Sequence, residues 1–169
     1  MTEPQDHLSD WLRDAHAMEE QAETMLKAMA GRLENYPELK VRIEQHVTET
    51  QNQARLLTQC IERRGDSTST VKDLAGKTMA SAQGFAGMFA TDEVVKGGMA
   101  SYAFEHFEIA AYRALIQAAE TAGDPETKGV CEQILAEEQE MADWLEENLP
   151  AVVHKYLTLS ADPDATAKR

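Results

Sequence analysis

Apolar residues recur at three- and four-residue intervals through most of the chain, the spacing of one buried face on an α-helix. Leu8, Trp11/Leu12, Ala15, Met18, Ala22, Met25/Leu26, Met29 and Leu33 predict a first helix over Pro4–Leu33. Leu39, Ile43, Val47, Leu56/Leu57, Cys60 and Ile61 predict a second, opening at Pro37 and running to about Arg64. Proline suits the first helical position, and Gly65 behind two arginines ends the helix. A third helix is expected from Thr91–Glu93 to Thr121, and a fourth from Pro125 to about Leu149 after the turn Ala122-Gly123-Asp124-Pro125. Pro150 is expected to open a separate short segment, Ala151–Leu159, followed by a disordered tail over 160–169. Within 66–92, the run Ser67-Thr68-Ser69-Thr70 caps a short helix expected about Val71–Ala82, ahead of a looser, glycine-containing stretch. Runs of period two are missing, which argues against a sheet.

The pattern is thus two helical hairpins with tight turns, joined by a connection of roughly thirty residues. Tight turns force antiparallel neighbours. The long connection can travel back along a helix of about 25 residues, ~37 Å at 1.5 Å per residue, so that helices 2 and 3 run parallel. The expected fold is therefore all-α: a single ferritin-like four-helix bundle over 1–159, with a long crossover between helices 2 and 3 and a short extra helix.

Each predicted helix carries an acid where its apolar stripe should continue. Glu19 follows Leu12 and Ala15 and precedes Ala22 and Leu26, so it points inward while Glu20 and Glu23 point out. His46, Glu49 and Gln53 share one face of helix 2; Tyr102, Glu105, Glu108 and Tyr112 share one of helix 3; Glu138 lies between Ile134 and Met141 on helix 4. Counted from their turns, Glu19 and Glu49 match in height to about one helical turn, as do Glu105 and Glu138. Four carboxylates and an imidazole are expected to converge at mid-bundle. Without cations such a cluster is costly or stays protonated, and an oxygen-rich set with one imidazole suits iron or manganese better than zinc. Ferritin-like centres pair two lone glutamates with two Glu-x-x-His units. Here helix 2 has the reversed order, His46-x-x-Glu49, helix 3 has Glu105-x-x-Glu108, and Met141 stands where a second histidine would be expected. His7, His16, His106 and His154 are expected at the surface. Tyr102 and Tyr112 flank the site, either as packing and hydrogen-bonding groups or as electron relays.

Composition narrows the class. The net charge of −14 over 169 residues disfavours nucleic acid and anionic membranes as partners. The first ten residues lack the basic and apolar regions of a signal peptide, and no stretch approaches the ~18 apolar residues of a membrane span, so a cytoplasmic protein is expected. Cys60 and Cys131 sit in apolar helical patterns and read as reduced core thiols.

At these residues the chain resembles the YciF-like bacterial stress proteins of the ferritin-like superfamily. The matching segments are Ala17-Met18-Glu19-Glu20-Gln21, Pro37-Glu38-Leu39, His46-Val47-Thr48-Glu49-Thr50 with Gln53, Glu105-His106-Phe107-Glu108-Ile109-Ala110-Ala111-Tyr112, and Leu135-Ala136-Glu137-Glu138. The resemblance implies a ferritin-like fold, a dinuclear iron site, a homodimer and a link to stress response. It implies the metal ligands Glu19, His46, Glu49, Glu105 and Glu138, with Glu108 as a sixth, and supplies no reaction. Two functions stay open. One is a non-haem di-iron or di-manganese oxidoreductase reacting with dioxygen or peroxide, with Glu49 and one of Glu105 and Glu138 bridging the metals. The other is a non-enzymatic metal-binding or structural dimeric bundle that docks a partner protein.

Overall fold

A computed structural model of the chain describes residues 3–66 and 92–167. They form four long helices: α1 Pro4–Ala30, α2 Pro37–Arg63, α3 Glu93–Thr121 and α4 Pro125–Ser160. No strand occurs among the described residues. The short helix expected about Val71–Ala82 lies outside them.

The packing of side chains fixes the topology. One apolar cluster joins Leu8 and Leu12 at the start of α1 to Leu57, Cys60 and Ile61 at the end of α2. It also takes in Leu115 and Ala119 near the end of α3, and Cys131 and Ile134 near the start of α4. A second joins the end of α1 (Leu26, Ala30) to the starts of α2 (Leu39, Ile43) and α3 (Val94), and to Met141 and Leu145 of α4. The C-terminal ends of α2 and α3 therefore lie at the same end of the bundle. These two helices run parallel, as a one-crossover bundle requires. Helix α1 packs on α2 and α3, and α4 packs on α3 and α2.

Helices α2 and α3 end in the same way. Gly65 and Gly123 have φ of +80° and +72°, the left-handed region where a side chain is strained. The amide of Asp66 donates to the Ile61 carbonyl and that of Gly65 to Glu62; Asp124 and Gly123 repeat this toward Ala119 and Glu120. Each helix thus ends in a Schellman motif. Asp124 then caps α4, accepting from the Thr127 amide at 3.0 Å and hydroxyl at 2.7 Å. Arg63 and Arg64 of α2 donate to the same carboxylate at 2.8 and 3.0 Å, and Arg64 also reaches Gln5 of α1. One aspartate thereby joins three helices at that end.

Pro150 does not end the last helix: α4 continues through it to Ser160. Pro150 and Glu146 are both exposed, so the carbonyl left without its helical N–H partner faces water. Beyond the proline, Val152, Tyr156 and Leu159 pack against the second apolar cluster, which favours continuation over a break. Within the tail, the carbonyls of Thr166 and Ala167 accept from Asn35 and Tyr36, each at 2.7 Å. Cys60 and Cys131 are buried and free, and burial pushes the Cys131 thiol up to about 12, well away from reactive thiolate.

Candidate metal centre

Between the two apolar clusters lies a polar layer. Glu19, His46, Glu105, Glu108 and Glu138 are no more than 2% exposed, each on the inner face of its helix. One side-chain ligand atom from each of His46, Glu105, Glu108 and Glu138 lies within 4.8 Å of the others. His46 Nε2 is 3.3 Å from Glu105 Oε2 and 3.4 Å from Glu138 Oε2. Gln53, two turns beyond His46 on α2, donates to Glu138 Oε1 at 2.6 Å and Glu137 at 2.9 Å.

Glu19 and Glu49 occupy different positions. Glu19 is buried beside the group, and its Oε1 accepts from the hydroxyl of the fully buried Tyr112. Glu49 lies at the rim, with its side chain 21% exposed, against the other ring nitrogen, His46 Nδ1, at 2.7 Å. The structure thus brings four of the six sequence-derived ligands into one group, with Glu19 flanking it and Glu49 behind the imidazole.

The electrostatics follow from burial among like charges. Burial raises the pKa of Glu108 well above the usual carboxylate range, and the charges of Glu19, Glu138 and Glu105 add to it. Glu19 is raised well above that range too, by burial and by Glu138, with the Tyr112 hydrogen bond partly opposing. Burial raises Glu105 to about 7 despite the neighbouring imidazole. Burial works against a charged His46, yet its contacts with Glu105, Glu138 and Glu49 outweigh this and raise it to about 12. Glu49 moves the other way, to about 2, held charged by His46 first and also by Arg42.

The layer contains oxygens whose hydrogen bonding is incomplete. Glu19 Oε2, Glu105 Oε2, Glu108 Oε1 and Glu138 Oε2 are buried with no hydrogen-bond partner, as is Gln53 Oε1. Buried polar atoms without partners are rare, and each carries a desolvation cost of about 1–3 kcal/mol or more. Hard carboxylate oxygens converging on an imidazole form a donor set that fits a divalent transition metal. This group can therefore hold a metal ion.

Three residues depart from sequence expectation or were missed. His16, expected at the surface, is 8% exposed; it sits four residues after Leu12 and three before Glu19, so the stripe already contained it. Tyr102 turns away from the centre and packs edge-on against His106 at 4.6 Å. Arg42, buried at the rim and 3.1 Å from Glu49 Oε2, was not singled out, although it continues the polar stripe of His46, Glu49 and Gln53 by one turn. Met141 lies in the second apolar cluster, so helix α4 gives the layer Glu138 without a companion histidine.

Fold and site together define a ferritin-like four-helix bundle with a buried carboxylate–histidine centre. A family model described as a domain of unknown function, DUF892, matches residues 3–158, and the chain belongs to this family. A solved protein of Xanthomonas campestris pv. campestris is 46% identical, with a TM-score of 0.81 over 95% of this chain and 100% of that one. The E. coli stress protein YciF is 22% identical, with a TM-score of 0.73 over 92% and 99% of the two chains. The Rhodopseudomonas palustris protein YcfI is 26% identical, with a TM-score of 0.66 over 85% and 93%. The YciF-like resemblance read from the helical motifs therefore holds.

Proposed function

We propose that this protein is a dinuclear metal protein, with iron as its metal and manganese as the alternative, that reacts with dioxygen or peroxide as part of a stress response. The observation that carries this reading is the set of buried carboxylate oxygens that converge near His46 Nε2 without completed hydrogen bonds. His46, Glu105, Glu108 and Glu138 would hold one ion. Glu19, which raises Glu108 and is itself raised by Glu138, would complete a second. Two divalent ions would offset most of the negative charge of this layer, which protons otherwise neutralise. When bound, such metals supply an electron reservoir and a Lewis acid. The protein's own part is to orient the ligands and keep water out: Gln53 fixes Glu138 and Tyr112 fixes Glu19.

Metal analysis of protein purified without chelator tests this directly, with close to two ions per chain expected. Ferrous protein exposed to air or peroxide should then develop a near-ultraviolet absorbance. Metal-free protein that refuses iron and manganese would overturn the reading. Metal that binds and stays inert toward both oxidants would leave a structural metal bundle in its place.

A further inference from the structure

Glu49 differs from every other acid of the polar layer. Glu19, Glu105, Glu108 and Glu138 each keep a buried oxygen without a hydrogen bond, whereas both oxygens of Glu49 are hydrogen-bonded. Oε2 faces His46 Nδ1 at 2.7 Å and Arg42 Nη1 at 3.1 Å, and Oε1 accepts from Gln45 at 2.8 Å. All four residues belong to α2, within two turns of one another, so this arrangement does not depend on how the helices are placed. The opposite ring nitrogen, Nε2, is the one that faces Glu105 and Glu138.

We infer that Glu49 is not a metal ligand but the positioning residue for one, with Arg42 as its anchor. The inference rests on the metal-centre reading above. A carboxylate on Nδ1 takes that nitrogen's hydrogen as a donated bond, leaving Nε2 as the metal-binding nitrogen, and it fixes the ring plane. Arg42 holds the carboxylate at the rim, where a side chain freed from it could swing inward. The reversed order His46-x-x-Glu49 follows from this role. One turn of helix places the carboxylate beside the ring rather than beside the ion.

Zinc, a diamagnetic probe, tests this on the full chain labelled with 15N-histidine. In the zinc-loaded parent, His46 should show a protonated Nδ1 and a metal-shifted Nε2. Glu49→Gln should bind zinc to the same stoichiometry with affinity lowered about 10- to 100-fold. Arg42→Met, which keeps the apolar stem, should also weaken binding at unchanged stoichiometry. A ligand role for Glu49 predicts the reverse: fewer ions in Glu49→Gln, and equal or tighter binding in Arg42→Met, where the carboxylate is released. Either of those results, or zinc found on Nδ1, overturns the inference while leaving the metal centre standing. A parent protein that binds no zinc, iron or manganese overturns both. Melting curves of the metal-free variants confirm that each is folded before it is titrated.

Discussion

His46 stands between carboxylates of two kinds, and the difference makes the metal-free protein sensitive to pH in a definite direction. Glu105 at about 7, and Glu19 and Glu108 raised by burial among one another, all have folded-state pKa values above the unfolded range. Their contribution to stability is full below that range and is lost as pH rises through the folded values. His46, raised from 6.5 to about 12, contributes fully below its unfolded value and loses that contribution as pH climbs toward 12. Within this layer Glu49, lowered to about 2, acts oppositely, and its contribution is lost as pH falls from 4.5 toward 2. With chelator present, the urea midpoint should therefore fall between pH 5 and pH 8. A midpoint that stays level or rises across that window would contradict the assignment. Glu108→Gln, which mimics the protonated acid, should be more stable than the parent at pH 8 without metal, and should bind metal less well.

Among the elements, the end of the bundle held by Asp124 offers the cleanest local test. Its carboxylate caps α4 and receives both Arg63 and Arg64. Asp124→Ala should cost about 1–2 kcal/mol in urea unfolding, the usual loss of an N-cap. Asp124→Asn, which keeps the cap acceptor, should cost less, and neither should alter metal stoichiometry because the polar layer lies mid-bundle. A loss of metal in Asp124→Ala would mean that the two regions are coupled. The elements also show what the sequence could convey. Helix starts at Pro37 and Pro125, and ends at Gly65 and Gly123, are local chemistry and were legible to within a few residues. Pro150 was misread because its effect depends on surroundings: the ring and the freed carbonyl face solvent, while Val152 and Tyr156 find apolar partners. The position of Glu49 was illegible for a related reason. Spacing places His46 and Glu49 on one face, but only side-chain geometry shows the carboxylate behind the ring.

At the scale of the molecule, the polar layer lies between apolar clusters at both ends of the bundle, so its condition bears on the whole fold. Part of the formal net charge of −14 is assigned to the buried acids of this layer, where burial favours the neutral, protonated form. No helix among the described residues is long and apolar enough to cross a membrane. Each apolar cluster draws on all four helices, so the metal-free protein is expected to fold. Metal bound in this layer would add stability by mass action: at free metal about 100 times Kd, one site would contribute about 2.7 kcal/mol. For a chain of this length that corresponds to a rise in melting temperature of roughly 5–10 °C. Calorimetry at pH 7 should therefore show a transition that shifts down by this amount when chelator is added and returns when ferrous or manganous ion is restored in excess. Glu105→Ala removes one of the four grouped ligands and should melt at the same temperature with and without chelator. Glu20→Ala, on the exposed face of α1, should behave as the parent does. If parent and Glu105→Ala respond alike to chelator, the metal that stabilises the protein is bound somewhere other than this layer.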